Sequence, residues 1–155
     1  MALALAGVAV SAYLTAGHFT SATVLACSDK GLVNCSKVTT SSYSRFAGMP
    51  VAVLGVAFFV AMLGLQLRAA WRSQHALVRG GRIALAGIGV VLVLWLIYAE
   101  LFRLDAICLY CTVVHVLTVA LFLQTGLATA ATTGSDALVE WDLDDDPRAV
   151  SGSAP

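Results

Sequence analysis

Apolar residues run along this chain in four long blocks separated by polar connections. The blocks cover residues 1–26, 50–67, 83–99 and 106–128. The third reads IALAGIGVVLVLWLIYA, and the fourth holds only His115 as an ionisable group other than cysteine. About 20 apolar residues in a helix cross a hydrocarbon core of about 30 Å. An isolated strand cannot satisfy its backbone there. The pattern therefore predicts an all-α integral membrane protein, a bundle of four transmembrane helices. Gly55, Gly64, Gly87 and Gly89 within the blocks suit close helix packing in lipid. The first block has no basic stretch before it and is long for a signal peptide. It is expected to be a retained span, not cut at the faintly lipoprotein-like Val24-Leu25-Ala26-Cys27.

Composition narrows the class further. Of 155 residues, 59% are apolar and 12% charged, against about 25% charged in an average soluble domain. With a mean hydropathy of +0.88, this excludes an ordinary soluble protein and a disordered chain. Nine basic residues balance nine acids, so no basic field exists to hold nucleic acid. Six acids (Asp136, Glu140, Asp142, Asp144, Asp145 and Asp146) lie in the last twenty residues. Residues 129–155 are accordingly expected as an acidic, disordered cytoplasmic tail, with Trp141 an anchor at the membrane interface. The 68–82 connection carries Arg68, Arg72, Arg79 and Arg82 and is drawn to the cytoplasm. Lys30, Lys37, Arg45 and Arg103 would then face the other way, so charge alone does not fix the orientation.

The cysteines decide it. Cys27 and Cys35 follow the first block, and Cys108 and Cys111 open the fourth. Two spans between the pairs return the chain to one face, so all four thiols are expected together. Grouped cysteines outside a reducing cytosol point to disulfide chemistry. The expected location is thus an inner or plasma membrane, with the cysteines extracytoplasmic and both termini cytoplasmic. Cys108-Leu109-Tyr110-Cys111 is a C-x-x-C motif, in which one thiol is usually acidified. Asp105 is predicted to cap the fourth span, putting Cys108 in its first turn beside the positive helix end. Cys108 and Cys111 are three apart and share a face, with His115 one turn deeper. An ionisable group inside a span is a functional candidate, here a hydrogen-bond donor to a ligand carbonyl. His18 reads as packing and His75 as cytoplasmic surface. Three readings stay open on these residues: a redox relay, a non-enzymatic scaffold stapled by disulfides, and a cysteine-ligated metal site. For the last, C-x7-C is a poor second half.

Taken in order, C-S-D-K-G-L-V-N-C after the first span, Ser41 six beyond Cys35, Gly48-Met49-Pro50 heading the second span, and CLYC followed by His115 resemble the vitamin K epoxide reductase family. The resemblance covers about residues 8–127. It implies a role like that of DsbB: oxidising a thioredoxin-fold, DsbA-like partner and passing the electrons to a quinone, menaquinone or ubiquinone. Some bacterial members carry the partner as a fused domain; this chain has no room for one, so a separate partner is expected. The resemblance further implies that Cys27 takes the partner's attack and frees Cys35, which attacks Cys108 and leaves Cys111 as the thiolate facing the quinone. Ser41 matches a position near the quinone, though it could equally cap a short helix expected over residues 37–47. His115 falls where animal members have a quinone-contacting tyrosine. Animal members carry an asparagine where this chain has Val51, which makes a quinone the expected oxidant and not an epoxide. Tyr43, Phe46, Tyr98 and Tyr110 are the candidates for stacking on its ring.

Overall fold

The computed structural model describes residues 1–20, 29–46, 48–67 and 76–145. Helix α1 spans Ala2–Thr20. After it come a small hairpin, β1 Asp29–Lys30 with β2 Val33–Asn34, and a short helix, α2 Cys35–Thr40. A 3-10 turn, Ser42–Ser44, and a second hairpin, β3 Arg45–Phe46 with β4 Met49–Pro50, lead into α3 Val51–Leu65. Helix α4, Ala76–Ala99, continues as a π-helical turn over Glu100–Leu104. The last helix, α5, is Leu109–Asp145. Helix α1 packs against α3 and α5, and α5 against α4; the α3–α4 seam is slighter.

Three of these helices are long and apolar enough to cross a membrane: Ala2–Thr20, Leu77–Leu104 and Leu109–Ala131. The block expected over 50–67 is an apolar helix of only 15 residues. At 1.5 Å per residue it is about 22 Å long, short of a typical core of about 30 Å. The other boundaries shift too. The connection expected at 100–105 is helical through Leu104 and breaks only at Asp105, whose φ of 45° is left-handed. Asp105 therefore ends the third block and does not cap the fourth. Residues 129–145, expected in the disordered tail, continue α5. Extending a formed helix needs no new nucleus, and no proline intervenes before Pro147. The end of the expected first span, residues 21–26, and Cys27 lie outside the described residues.

The bundle meets in two buried clusters. One joins Ala4, Phe59, Met62, Ala86 and Leu121; the other joins Leu14, Cys35, Val38, Ala106 and Cys108. In the first, Gly7 lies so close to the Phe59 ring that a Cβ there would overlap it. The Met1 ammonium donates to Gln66 Oε1 at 2.9 Å, tying the start of α1 to the end of α3. Threonine hydroxyls in the apolar helices donate to their own helix's carbonyls one turn back: Thr118 to Val114 at 2.9 Å, Thr125 to Leu121 at 2.7 Å and Thr129 to Thr125 at 2.8 Å. This removes the cost of a bare hydroxyl in a medium without water. Val91 and Leu94 on α4, and Val116, Leu123 and Leu127 on α5, point outward as a lipid-facing surface requires.

The short helix begins at Cys35, ahead of the position expected. Asn34 sets its start: the side-chain oxygen accepts from the Lys37 N–H at 2.8 Å. The preceding turn is tight because Gly31 adopts a φ of 74°, a conformation that needs no Cβ at the first position of a two-residue hairpin loop. Asn34→Ala removes the cap and is expected to cost about 1 kcal/mol. Amide exchange in detergent should quicken across α2 and stay unchanged in α1.

Candidate functional site

The loop is clasped to the start of α5 by its main chain. Val33 bridges Ile107 in parallel; the Ile107 N–H donates to Leu32 O at 2.8 Å, and the Asn34 N–H donates to Ile107 O at 3.1 Å. The residues that follow this clasp on its two sides are Cys35 and Cys108. Both are buried, 1% and 0% exposed, in one cluster, with Cys111 packed against it. Cys35 is in a disulfide, whereas Cys108 and Cys111 are free thiols. Three of the four cysteines thus meet at one end of the bundle; Cys27 lies outside the described residues.

Cys108 does not sit inside the first helical turn but just before it, at the capping position. Its carbonyl accepts the first helical bond, from the Thr112 N–H at 2.9 Å, and its sulfur accepts the Cys111 N–H at 3.2 Å. A thiolate therefore caps α5 as a serine or aspartate oxygen would. The Cys111 thiol donates to it as well and is the largest influence holding the Cys108 thiol below its ordinary pKa. Burial and the Glu100 carboxylate act in the opposite direction. Cys111→Ala deletes that donor, so the pH at which Cys108 becomes alkylatable should rise. Cys111→Ser keeps a donor and should restore it; iodoacetamide labelling against pH reads both.

Cys111, at the edge of that cluster, and His115 also line a cavity of about 690 Å³. Ser41 lines the same cavity, as does Val51. The Ser41 hydroxyl ends α2 by donating to Val38 O at 2.8 Å and does not cap a helix start. Thus Cys111, His115 and Ser41, singled out separately along the sequence, share one space, while Cys108 faces the loop instead. The expectation that Cys108 shares their face fails because it precedes the helix. Of the four aromatic candidates, Tyr43 and Phe46 reach the cavity. Tyr110 packs on Tyr13 with centroids 5.1 Å apart, and Tyr98 stacks on Phe102 at 5.1 Å. Phe58, Phe59 and Trp95 also line the cavity; nothing in local spacing separates them from ordinary span residues. His18, read as packing, lines it too.

Chemically the site is an apolar slot edged by polar groups: the Cys111 thiol, the imidazoles of His18 and His115, the buried Glu100 carboxyl, the hydroxyls of Ser11 and Thr118, and the hydroxyls and guanidinium of residues 39–45. Its size and character suit a planar, mostly apolar ring with a pair of carbonyl oxygens. Metal chemistry finds less support, since a disulfide sulfur is no thiolate ligand. Among the described residues no group of three or more His, Cys, Asp or Glu could hold an ion.

Comparison with known proteins agrees with this geometry. No curated protein is similar enough to the chain to count as a match. The model of the vitamin K epoxide reductase family matches residues 1–125, which include the clasped loop, the C-x-x-C and His115. With most of its length so matched and its thiols gathered at one end of an apolar bundle, the chain belongs to the vitamin K epoxide reductase family.

Proposed function

We propose that this membrane oxidoreductase of disulfides reoxidises a separate, extracytoplasmic thioredoxin-fold oxidase of the DsbA kind. The electrons go to a membrane quinone, menaquinone or ubiquinone, so that disulfides form in secreted proteins. The observation that carries the reading is the division of the C-x-x-C pair: Cys108 packs with Cys35 of the loop, and Cys111 opens into the cavity. Electrons entering from the loop side have a thiol to meet there, and those leaving have another beside the acceptor's space. In this reading all four apolar helices cross, the cysteine end is extracytoplasmic, and both termini are cytoplasmic. The arginine-rich 68–82 connection agrees with that orientation.

The relay runs by thiolate attack on a disulfide. The partner's thiolate attacks Cys27 of a Cys27–Cys35 disulfide, forming a mixed disulfide and freeing Cys35. Cys35 then attacks Cys108 in an oxidised C-x-x-C pair, and Cys111 leaves as the thiolate. The partner's second thiolate displaces Cys27 and leaves the partner oxidised; the freed Cys27 then attacks Cys35 of the Cys35–Cys108 bond, which resets the loop disulfide and leaves the C-x-x-C pair reduced. A bound quinone supplies a two-electron, two-proton acceptor of potential above that of a DsbA-like protein, near −120 mV. Cys111 would stand beside that acceptor, His115 would donate a hydrogen bond to one of its carbonyls from within the apolar wall, and Ser41 would hold the loop edge against water. Tyr43 and Phe46 provide faces for stacking.

The test is a trapping experiment on the whole chain in detergent. With its loop disulfide intact, the chain mixed with a reduced DsbA-like protein that lacks its resolving cysteine should give a covalent complex on a non-reducing gel, and Cys27→Ala should abolish it. The unsubstituted chain should reduce a soluble quinone in step with partner oxidation. A chain that forms no complex, loses stability when its cysteines are removed and reduces no quinone is a stapled scaffold instead.

A further inference from the structure

Glu100 is the one carboxyl among the described residues that is buried, at 6% exposed. It stands in the π-helical turn at the end of α4, lines the cavity with Cys111, and takes a hydrogen bond from the backbone N–H of Cys108. Its charge is felt by both thiols of the C-x-x-C pair. An acid inside a span is costly and marks a proton or ion path more often than a structural tie. The π-helical turn is itself an unusual element, of the sort found at functional sites. Its neighbours Arg103 and Asp105 are exposed, as is Lys37, the only charged residue of the α2 helix packed against the turn. His18 from α1, Tyr43 and Arg45 from the loop, and Cys111 and His115 from α5 are the other ionisable groups on the cavity wall. No ion pair of Glu100 with any of them is present among the described residues.

We propose that Glu100 is the proton-transfer group of the C-x-x-C pair, taking the thiol proton of Cys111 and delivering it to the acceptor in the cavity. This rests on the function proposed above. The reduced pair carries one proton, on Cys111, with Cys108 as thiolate. Closing the Cys108–Cys111 bond releases two electrons and that proton. A quinone-class acceptor takes both electrons and two protons to become the hydroquinone; one proton passes through Glu100 and the second comes from water at the cysteine end. A carboxylate beside Cys111 keeps the proton from having to cross an apolar wall, and its return to the charged form readies the next cycle.

The experiment uses the full chain in detergent, reduced with a dithiol and freed of it. The wild type is compared with Glu100→Gln and Glu100→Asp in two measurements. The first is single-turnover loss of free thiols after mixing with a short-tailed soluble quinone, across pH. Glu100→Gln should slow it by about a hundredfold and delete one ionisation from the profile; Glu100→Asp should recover part of the rate and restore the ionisation. The second needs no acceptor: alkylation of Cys108 against pH, whose midpoint should move to lower pH in Glu100→Gln as the opposing negative charge is removed. An unchanged rate and profile in Glu100→Gln overturns the proposal. So do equal slowing in both variants with unchanged alkylation, which marks a structural role. If the wild-type pair is not oxidised by quinone, the function proposed above fails. Glu100 is then judged by alkylation alone: a shifted midpoint keeps it as the pair's proton acceptor toward some other oxidant, and an unshifted one removes it.

Discussion

Cys108→Ala is expected to stop partner reoxidation altogether, a loss of about a thousandfold or more. Cys111→Ala should stop turnover equally, yet by a different blockade. Cys108 is packed with Cys35 and capped by main chain, so without Cys111 its thiolate can still exchange into the loop disulfide and join Cys35, while no second thiol remains to pass electrons to the acceptor. Peptide mass spectrometry of the Cys111→Ala chain after one exposure to reduced partner and oxidant should find the Cys35–Cys108 link; in Cys108→Ala there should be no link between the loop and α5. Because Cys108 is the thiol buried in the cluster with Cys35, whereas Cys111 lies at its edge and lines the cavity, Cys111 is a poorer substitute at that junction. A Cys35–Cys111 link in the Cys108→Ala chain, or a tenth of the wild-type rate in either variant, would refute the division of labour.

The largest effect on stability is expected at Gly7. A Cβ there would run into the Phe59 ring, which is fully buried and would have to be displaced from its packing with α1. Overpacking costs about 1–3 kcal/mol where neighbours can adjust. Gly7→Leu adds three further carbons, so it should sit at or beyond the top of that range and leave little folded protein in detergent. Phe59→Ala, which vacates the space, should partly rescue it. Gly64→Ala is the control, since a Cβ at Gly64 meets nothing. Thermal midpoints and the monodisperse fraction on size exclusion would report all three; equal midpoints for Gly7→Leu and the wild type would show that α1 and α3 do not pack in this way.

The glycines also illustrate what the sequence makes legible. Block length and apolarity announced apolar helices and a membrane setting, though not the shortness of the second block, and gave no way to rank Gly55, Gly64, Gly87 and Gly89. In three dimensions Gly89 faces the Phe58 ring, where a Cβ would come within 2.7 Å, and Gly55 faces Ser11 Oγ at 3.1 Å. Gly64 faces open space, and the tightest approach belongs to Gly7, which no spacing rule marks. Helix ends were obscured for a similar reason. The Glu-Leu-Phe-Arg-Leu-Asp connection has the charge of a turn, but its backbone stays helical until the left-handed residue at Asp105. The thiols and His115 were legible because their relation is local, one helix turn apart. Glu100 was not, since it gains meaning only when the start of α5 folds back over it.

The clasp between Val33 and Ile107 bears on timing. It is made of two main-chain hydrogen bonds, each worth about 1 kcal/mol net, and a gap of a few kcal/mol leaves a minor state populated at roughly 0.1–10%. In the relay proposed above, a loop held by such a latch would rest against Cys108 and be released for brief intervals, its chances to meet a soluble partner. Because the latch is made by backbone, side-chain changes at 33 and 107 should be tolerated. One residue added between the hairpin and Cys35 would instead leave the latch closed with the sulfur out of register, a chain that docks faithfully and conducts nothing.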